Sequence, residues 1–186
     1  MKTSLNIIPD NPDLVIIALN PTQEAIRNGG LFSRDKSLWN FLIRAGIIRD
    51  SINDINLKIR AKEVCSGLHT HLSIGIADLL PSVIESISKN VQVNKGAATD
   101  LFREHPGLKN SKKIVLLGQK VVDGFSLDFP NLKKWRDLPK IEGKKAFGEA
   151  QEIEIAGSKV KIFTLPFPNG NNIPNKHELY RKVLDD

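Results

Sequence analysis

The chain has 186 residues, of which 40% are hydrophobic and 26% charged, the ordinary make-up of one folded soluble domain with room for a real core. Cys65 is the sole cysteine, which excludes an internal disulfide framework and any iron–sulfur centre built from several thiolates. A formal net charge of +6 favours polyanionic partners, through phosphate contacts and counterion release.

No apolar run reaches the length of a bilayer span, and Met1-Lys2-Thr3-Ser4-Leu5 lacks the apolar stretch and cleavage site of a signal peptide. An intracellular protein without membrane contact is expected. Leu14-Val15-Ile16-Ile17-Ala18-Leu19 is a short, uniformly apolar run between Asn11-Pro12-Asp13 and Asn20-Pro21, the pattern of a central strand buried on both faces. A polar, glycine-containing stretch follows from Thr22 to Gly30. The spacing of Leu38, Phe41, Leu42 and Ala45 predicts a helix from about Asp35 to Ala45, stopped by Gly46.

Ser51 to Ser73 carries no clear period, and Ile74 to Pro81 is apolar with one acid, Asp78. Ala97–Glu104 reads as a helix with Leu101 and Phe102 inward. Lys113 to Gly118 reads as a second buried strand running straight into a helix from Gln119 to Phe125. Gln151–Ala156 and Lys159–Leu165 form a hairpin turned at Gly157-Ser158. A loop dense in Pro, Gly and Asn runs from Pro166 to Asn175, and an amphipathic helix from Lys176 to Leu184 ends the pattern.

Strands alternating with helices predict a single α/β domain over residues 1–186, with a mostly parallel central sheet covered on both faces. Ligands of such sheets bind beyond the carboxyl ends of the strands. The loops after Leu19, Gly118 and Leu165 are therefore the functional candidates. Asn-Pro and Pro-Asn-Gly are ordinary turn formers; two such loops at one predicted sheet edge shift the balance towards function. His69 and His71, separated by one residue, are a weak metal signal without a third ligand, and no metal is expected. The basic clusters Lys109/Lys112/Lys113, Lys133/Lys134/Arg136 and Lys144/Lys145 read individually as solvated faces.

The motifs, taken in order, carry a resemblance. Ala18-Leu19-Asn20-Pro21-Thr22, then Gly30-Leu31-Phe32-Ser33, then Leu38-Trp39 and Ala45-Gly46-Ile47 resemble the first motif of the uracil-DNA glycosylase superfamily, in particular its mismatch-specific uracil/thymine branch. Gly75-Ile76-Ala77-Asp78-Leu79 resembles that family's G-[IV]-T-x-L segment, and Ile114-Val115-Leu116-Leu117-Gly118-Gln119-Lys120 its I-L-G-K strand-to-helix turn. Leu165-Pro166-Phe167-Pro168-Asn169-Gly170-Asn171-Asn172 resembles its L-P-N-P-S-G-L second motif. The pieces follow in family order from about Leu14 to Leu184.

The resemblance implies an α/β/α sandwich and a monofunctional base-excision repair enzyme. Such an enzyme flips uracil or a related damaged or mispaired base out of DNA and hydrolyses its N-glycosidic bond, without metal or redox cofactor. It implies lesion-containing DNA, single- or double-stranded, as partner, a monomer, and a home in the cytoplasm or nucleoid of a prokaryote or the nucleus of a eukaryote. Asn20 would position the attacking water. Leu19, through its backbone amide, with Pro21, Phe32 and Asp78, would bind the base, Phe32 by stacking. Asp78 has a second reading as a helix cap. Phe167, Pro168, Asn169, Gly170, Asn171 and Asn172 would grip the DNA.

Several positions depart from the family pattern. Phe167 stands where Asn or His is expected, Asn169 for Ser, Asn171 for an apolar wedge, and Thr22 adds a side chain in place of Gly. No carboxylate follows Asn20 until Glu24, so the chemistry rests on positioning rather than on a strong base. Two other readings remain open: a non-catalytic nucleic-acid-binding member of the same fold, and an unrelated α/β enzyme acting on nucleotides or phosphate esters, for which Gly29-Gly30 is weak support.

Overall fold

A computed structural model describes residues 5–32, 36–56, 59–85, 87–141, 144–145, 147–168 and 176–185. In chain order the regular elements are β1 (Leu14–Ala18), α1 (Gln23–Asn28), α2 (Lys36–Arg44), α3 (Arg60–Cys65), β2 (Ile74–Asp78), α4 (Ala97–Glu104), β3 (Lys113–Leu117), α5 (Gln119–Asp128), β4 (Lys140–Ile141), β5 (Lys144–Lys145), β6 (Ala150–Ile155), β7 (Ser158–Leu165) and α6 (Lys176–Asp185). The main sheet has the order β2–β1–β3–β7–β6. Its first four members are parallel and β6 is an antiparallel edge. β4 and β5 form a separate two-stranded ribbon.

The uniformly apolar run becomes β1 because both its faces are covered: all five residues are buried. Leu14 and Ile16 point into a core with Leu38, Trp39, Leu42 and Tyr180, from α2 and α6. Val15 and Ile17 point into the other core, with Leu101, Phe102 and Phe125 from α4 and α5. Period-2 alternation along one strand thus builds two apolar layers, and the molecule is an α/β/α sandwich. Asp128, near the end of α5, ties the second helical layer together by accepting from the amides of Gly96, Ala98 and Thr99 at the start of α4.

Two expectations change in detail. The polar stretch after Asn20 contains a helix, α1, whose N-cap is Thr22 and whose stop is Gly29 in the left-handed region. The hairpin turn is centred on Ala156 and Gly157, one residue earlier than expected, and both have positive φ. A turn with two positive-φ residues matches the twist of the strands it joins. The segment before β1 also contributes: Ile7 bridges Ile76 on the outer side of β2. No helix among the described residues is long and apolar enough to cross a membrane.

Candidate active site

Four parallel strands put the residues after Ala18, Asp78, Leu117 and Leu165 at one edge of the sheet. The chain leaves β1 for β2 on one side and returns across it to β3 on the other. Such a switch point opens a crevice at the carboxyl ends of β1 and β3. Asn20 stands at that crevice.

The amide of Asn20 has a fixed orientation. Its Nδ2 donates to the carbonyl of Glu85 at 2.8 Å, to that of Val83 at 3.2 Å and to that of Pro21 at 3.1 Å. Carbonyls only accept, so the nitrogen must be on this side and the oxygen on the other. Among the described residues, Oδ1 accepts no hydrogen bond, and it is left as an acceptor at the sheet edge. Two of the partners, Val83 and Glu85, come from the strap that follows β2. That strap first continues the ladder, Leu79 N–H donating to Ala18 and Leu80 N–H to Leu19. Its far end is held by Lys120 on α5, whose ammonium donates to the carbonyls of Lys89 and Val91.

Phe32 takes a backbone conformation unusual for a side chain of its size, with φ of 55°. Left-handed backbone costs a non-glycine residue about 1–2 kcal/mol, so its surroundings must hold it. Trp39 does this twice: its indole N–H donates to the Phe32 carbonyl at 3.1 Å, and the two rings meet edge to face at 6.3 Å. The other neighbour of Phe32 is Phe167, at 6.4 Å between ring centroids with an interplanar angle of 30°. The loops after β1 and β7 therefore meet through two aromatic rings. Phe167 is 36% exposed, Pro168 is buried, and the buried Tyr180 hydroxyl donates to the Pro166 carbonyl at 2.9 Å, fastening the loop to α6. Asn169, Gly170, Asn171 and Asn172 lie outside the described residues.

Asp78 ends β2 and caps no helix among the described elements, which corrects that reading. In register with Ala18, it is only 2% exposed, and its Oδ2 has no hydrogen-bond partner. Burial pushes its carboxyl up to about 7, so it holds its proton through the mildly acidic range. Its backbone is clamped by Asn6, whose side chain accepts from Asp78 N–H at 2.8 Å and donates to Asp78 C=O at 3.2 Å. Sequence reasoning missed Asn6, and only a long-range contact identifies it.

The Thr22 hydroxyl is turned away from the role of lining the base site. It accepts from Ala25 N–H at 3.1 Å and starts α1. Cys65 is half-buried, and burial pushes its thiol up to about 12, which leaves almost no thiolate at neutral pH. His69 places Nδ1 3.2 Å from the Ser51 hydroxyl. A separate open groove of about 440 Å³ runs along α5, between Val93, Lys120, Gly124 and Arg136, and holds none of the predicted site residues.

With this geometry and motif order, residues 5–186 match the family model described as Uracil DNA glycosylase superfamily. The chain belongs to the uracil-DNA glycosylase superfamily. No individual curated protein matches it. Membership of this superfamily attaches the sandwich to glycosylase-type DNA repair, with DNA as the partner. The loops after β1 and β7, which carry the stretches resembling that family's first and second motifs, meet through Phe32 and Phe167.

Proposed function

We propose that the chain is a monofunctional DNA glycosylase that flips uracil or a related damaged or mispaired base out of DNA and hydrolyses its N-glycosidic bond. The observation that carries this reading is the pinned amide of Asn20, with Nδ2 spent on the carbonyls of Val83 and Glu85 and Oδ1 left as an acceptor. An acceptor fixed in this way accepts a hydrogen bond from a water and turns a lone pair of that water towards the sugar carbon. It removes no proton ahead of the reaction, because an amide oxygen is a poor base. The rate then comes from position and from stabilising the leaving base as it gains negative charge.

The flipped base would lie against Phe32, with Phe167 closing over it. The backbone amide of Leu19 would hydrogen-bond a base carbonyl and stabilise the departing anion. Asp78, protonated at neutral pH or just below, would both donate to and accept from the base edge, and Pro21 would line the turn between them. Phe167 to Asn172 would grip the DNA around the lesion.

A panel of single- and double-stranded oligonucleotides bearing uracil, xanthine, hypoxanthine or ethenocytosine tests this. Free base and an alkali-labile abasic site should appear from at least one substrate, without strand cutting by the protein. The Asn20→Ala variant should lose release by about two to three orders of magnitude, the scale of losing one oriented catalytic group. No release from any substrate would end the reading. Salt-dependent DNA binding with no effect of Asn20→Ala would leave a non-catalytic DNA-binding member of the fold.

A further inference from the structure

The strap after β2 carries a feature that no motif announced. Of eight exposed large hydrophobic side chains among the described residues, three sit within this one segment: Val83 at 36%, Ile84 at 47% and Ile87 at 50% exposure. Phe167, a fourth, sits on the loop after β7, at the same edge of the sheet. Free apolar side chains concentrated at one edge of a sheet mark a contact surface.

The backbone beneath them is held at both ends. Asn20 binds the carbonyls of Val83 and Glu85, the two residues that flank Ile84. Lys120 binds the carbonyls of Lys89 and Val91 further along. The one acid of the strap, Glu85, is half-buried and its carboxylate accepts from Ile87 N–H at 2.9 Å, while Lys89 is exposed. The result is a pinned loop with an apolar tip, its one carboxylate engaged by Ile87 N–H, and an exposed lysine, Lys89, further along it.

We propose that Ile84, supported by Val83 and Ile87, is the apolar wedge that enters the base stack of duplex DNA when the target base leaves it. The inference rests on the glycosylase reading for its occupant, and three things on the page select that occupant. The tip is continuous with the base site, because the amide that would hold the water also holds the carbonyls on either side of Ile84. Flipping leaves a gap in the stack, and proteins that open base steps fill such gaps with Ile, Leu, Phe, Met or Pro. The exposed Lys89, further along the strap, suits a phosphate beside the gap. The strap would thereby supply the apolar group that the second motif lacks at Asn171.

The test compares wild type with Ile84→Ala and Ile84→Leu on matched single- and double-stranded uracil substrates. Unstacking is followed by the fluorescence of a 2-aminopurine placed next to the lesion in the duplex. Ile84 is exposed, so both variants should melt with the wild type. Ile84→Ala should slow single-turnover release from duplex by about tenfold or more and remove the fluorescence rise, with single-strand release within about twofold of wild type. Ile84→Leu should restore both duplex readouts. Equal loss on single and double strands, or full duplex activity with an undiminished fluorescence rise, overturns the wedge. Should the wild type release no base from either substrate, the glycosylase reading fails by itself. The fluorescence rise then decides the wedge: its loss in Ile84→Ala supports it, and its persistence, or its absence in the wild type, overturns it.

Discussion

Replacing Asp78 by Asn should stabilise the free protein, by an amount that grows with pH. Asp78 is 2% exposed with an unpartnered Oδ2, and its carboxyl is raised by burial from the ordinary 3.8 to about 7. Below about pH 4 the acid is protonated in the folded and unfolded chains alike. As pH rises from there, the unfolded chain releases a proton that the folded chain keeps, so folding loses stability until the folded acid also ionises, near 7. A shift of three units corresponds to about 4 kcal/mol, an upper bound since water entering beside the charge would reduce it. Asn has nearly the same shape and never ionises. The stability gap between Asp78→Asn and wild type should therefore widen by up to about 4 kcal/mol between roughly pH 4 and pH 8, or about 8–16 °C in Tm for a chain of this size. Urea unfolding of both proteins across that range measures it. A gap that stays constant with pH would show that Asp78 is solvated or paired in the folded protein, and would remove it from the base site as a neutral acid.

Three further outcomes are expected. Asn20→Asp sets a carboxylate oxygen against the carbonyls of Val83 and Glu85. It should melt below Asn20→Ala, which only loses the two bonds at a cost of about 1–3 kcal/mol; equal melting temperatures would contradict the pinned amide. Tyr180→Phe strips the Pro166 carbonyl of its buried partner and should cost about 1–2 kcal/mol in denaturant unfolding, with base release from duplex falling as the loop loosens. Because burial pushes the Cys65 thiol from 9.0 up to about 12, thiol reagents at neutral pH should modify the native protein about a thousandfold more slowly than a free thiol; labelling at the rate of a free thiol would refute that.

Much of the fold was legible in the sequence because its signals are local. Leu14 to Ala18 has no polar residue to face water, and Ala97–Glu104 and Lys176–Asp185 show helical spacing with polar opposite faces. α1 was missed because six residues give less than two turns of period, and only Thr22 and Gly29 mark its ends. The site divides in the same way. Asn20 and Phe32 were legible from their place after an apolar run and from motif spacing. What holds them was not: the strap carbonyls come from 63 and 65 residues away, and the clamp on Asp78 from 72 residues before it. The exposed apolar side chains Val83, Ile84 and Ile87 look in sequence like core, since composition carries no sign of which side of a loop meets solvent.

The sheet order also sets a schedule for synthesis. β1 emerges first, yet its neighbours are β2, beginning at Ile74, and β3, beginning at Lys113. At about 5–20 residues per second, one edge of this apolar strand waits about 3–12 s for β2 and the other about 5–20 s for β3. The double burial that makes β1 a rigid platform for Asn20 thus makes the nascent chain a substrate for chaperones until β3 has been made. Translation stalled between β2 and β3 should yield aggregates rather than a partly folded domain.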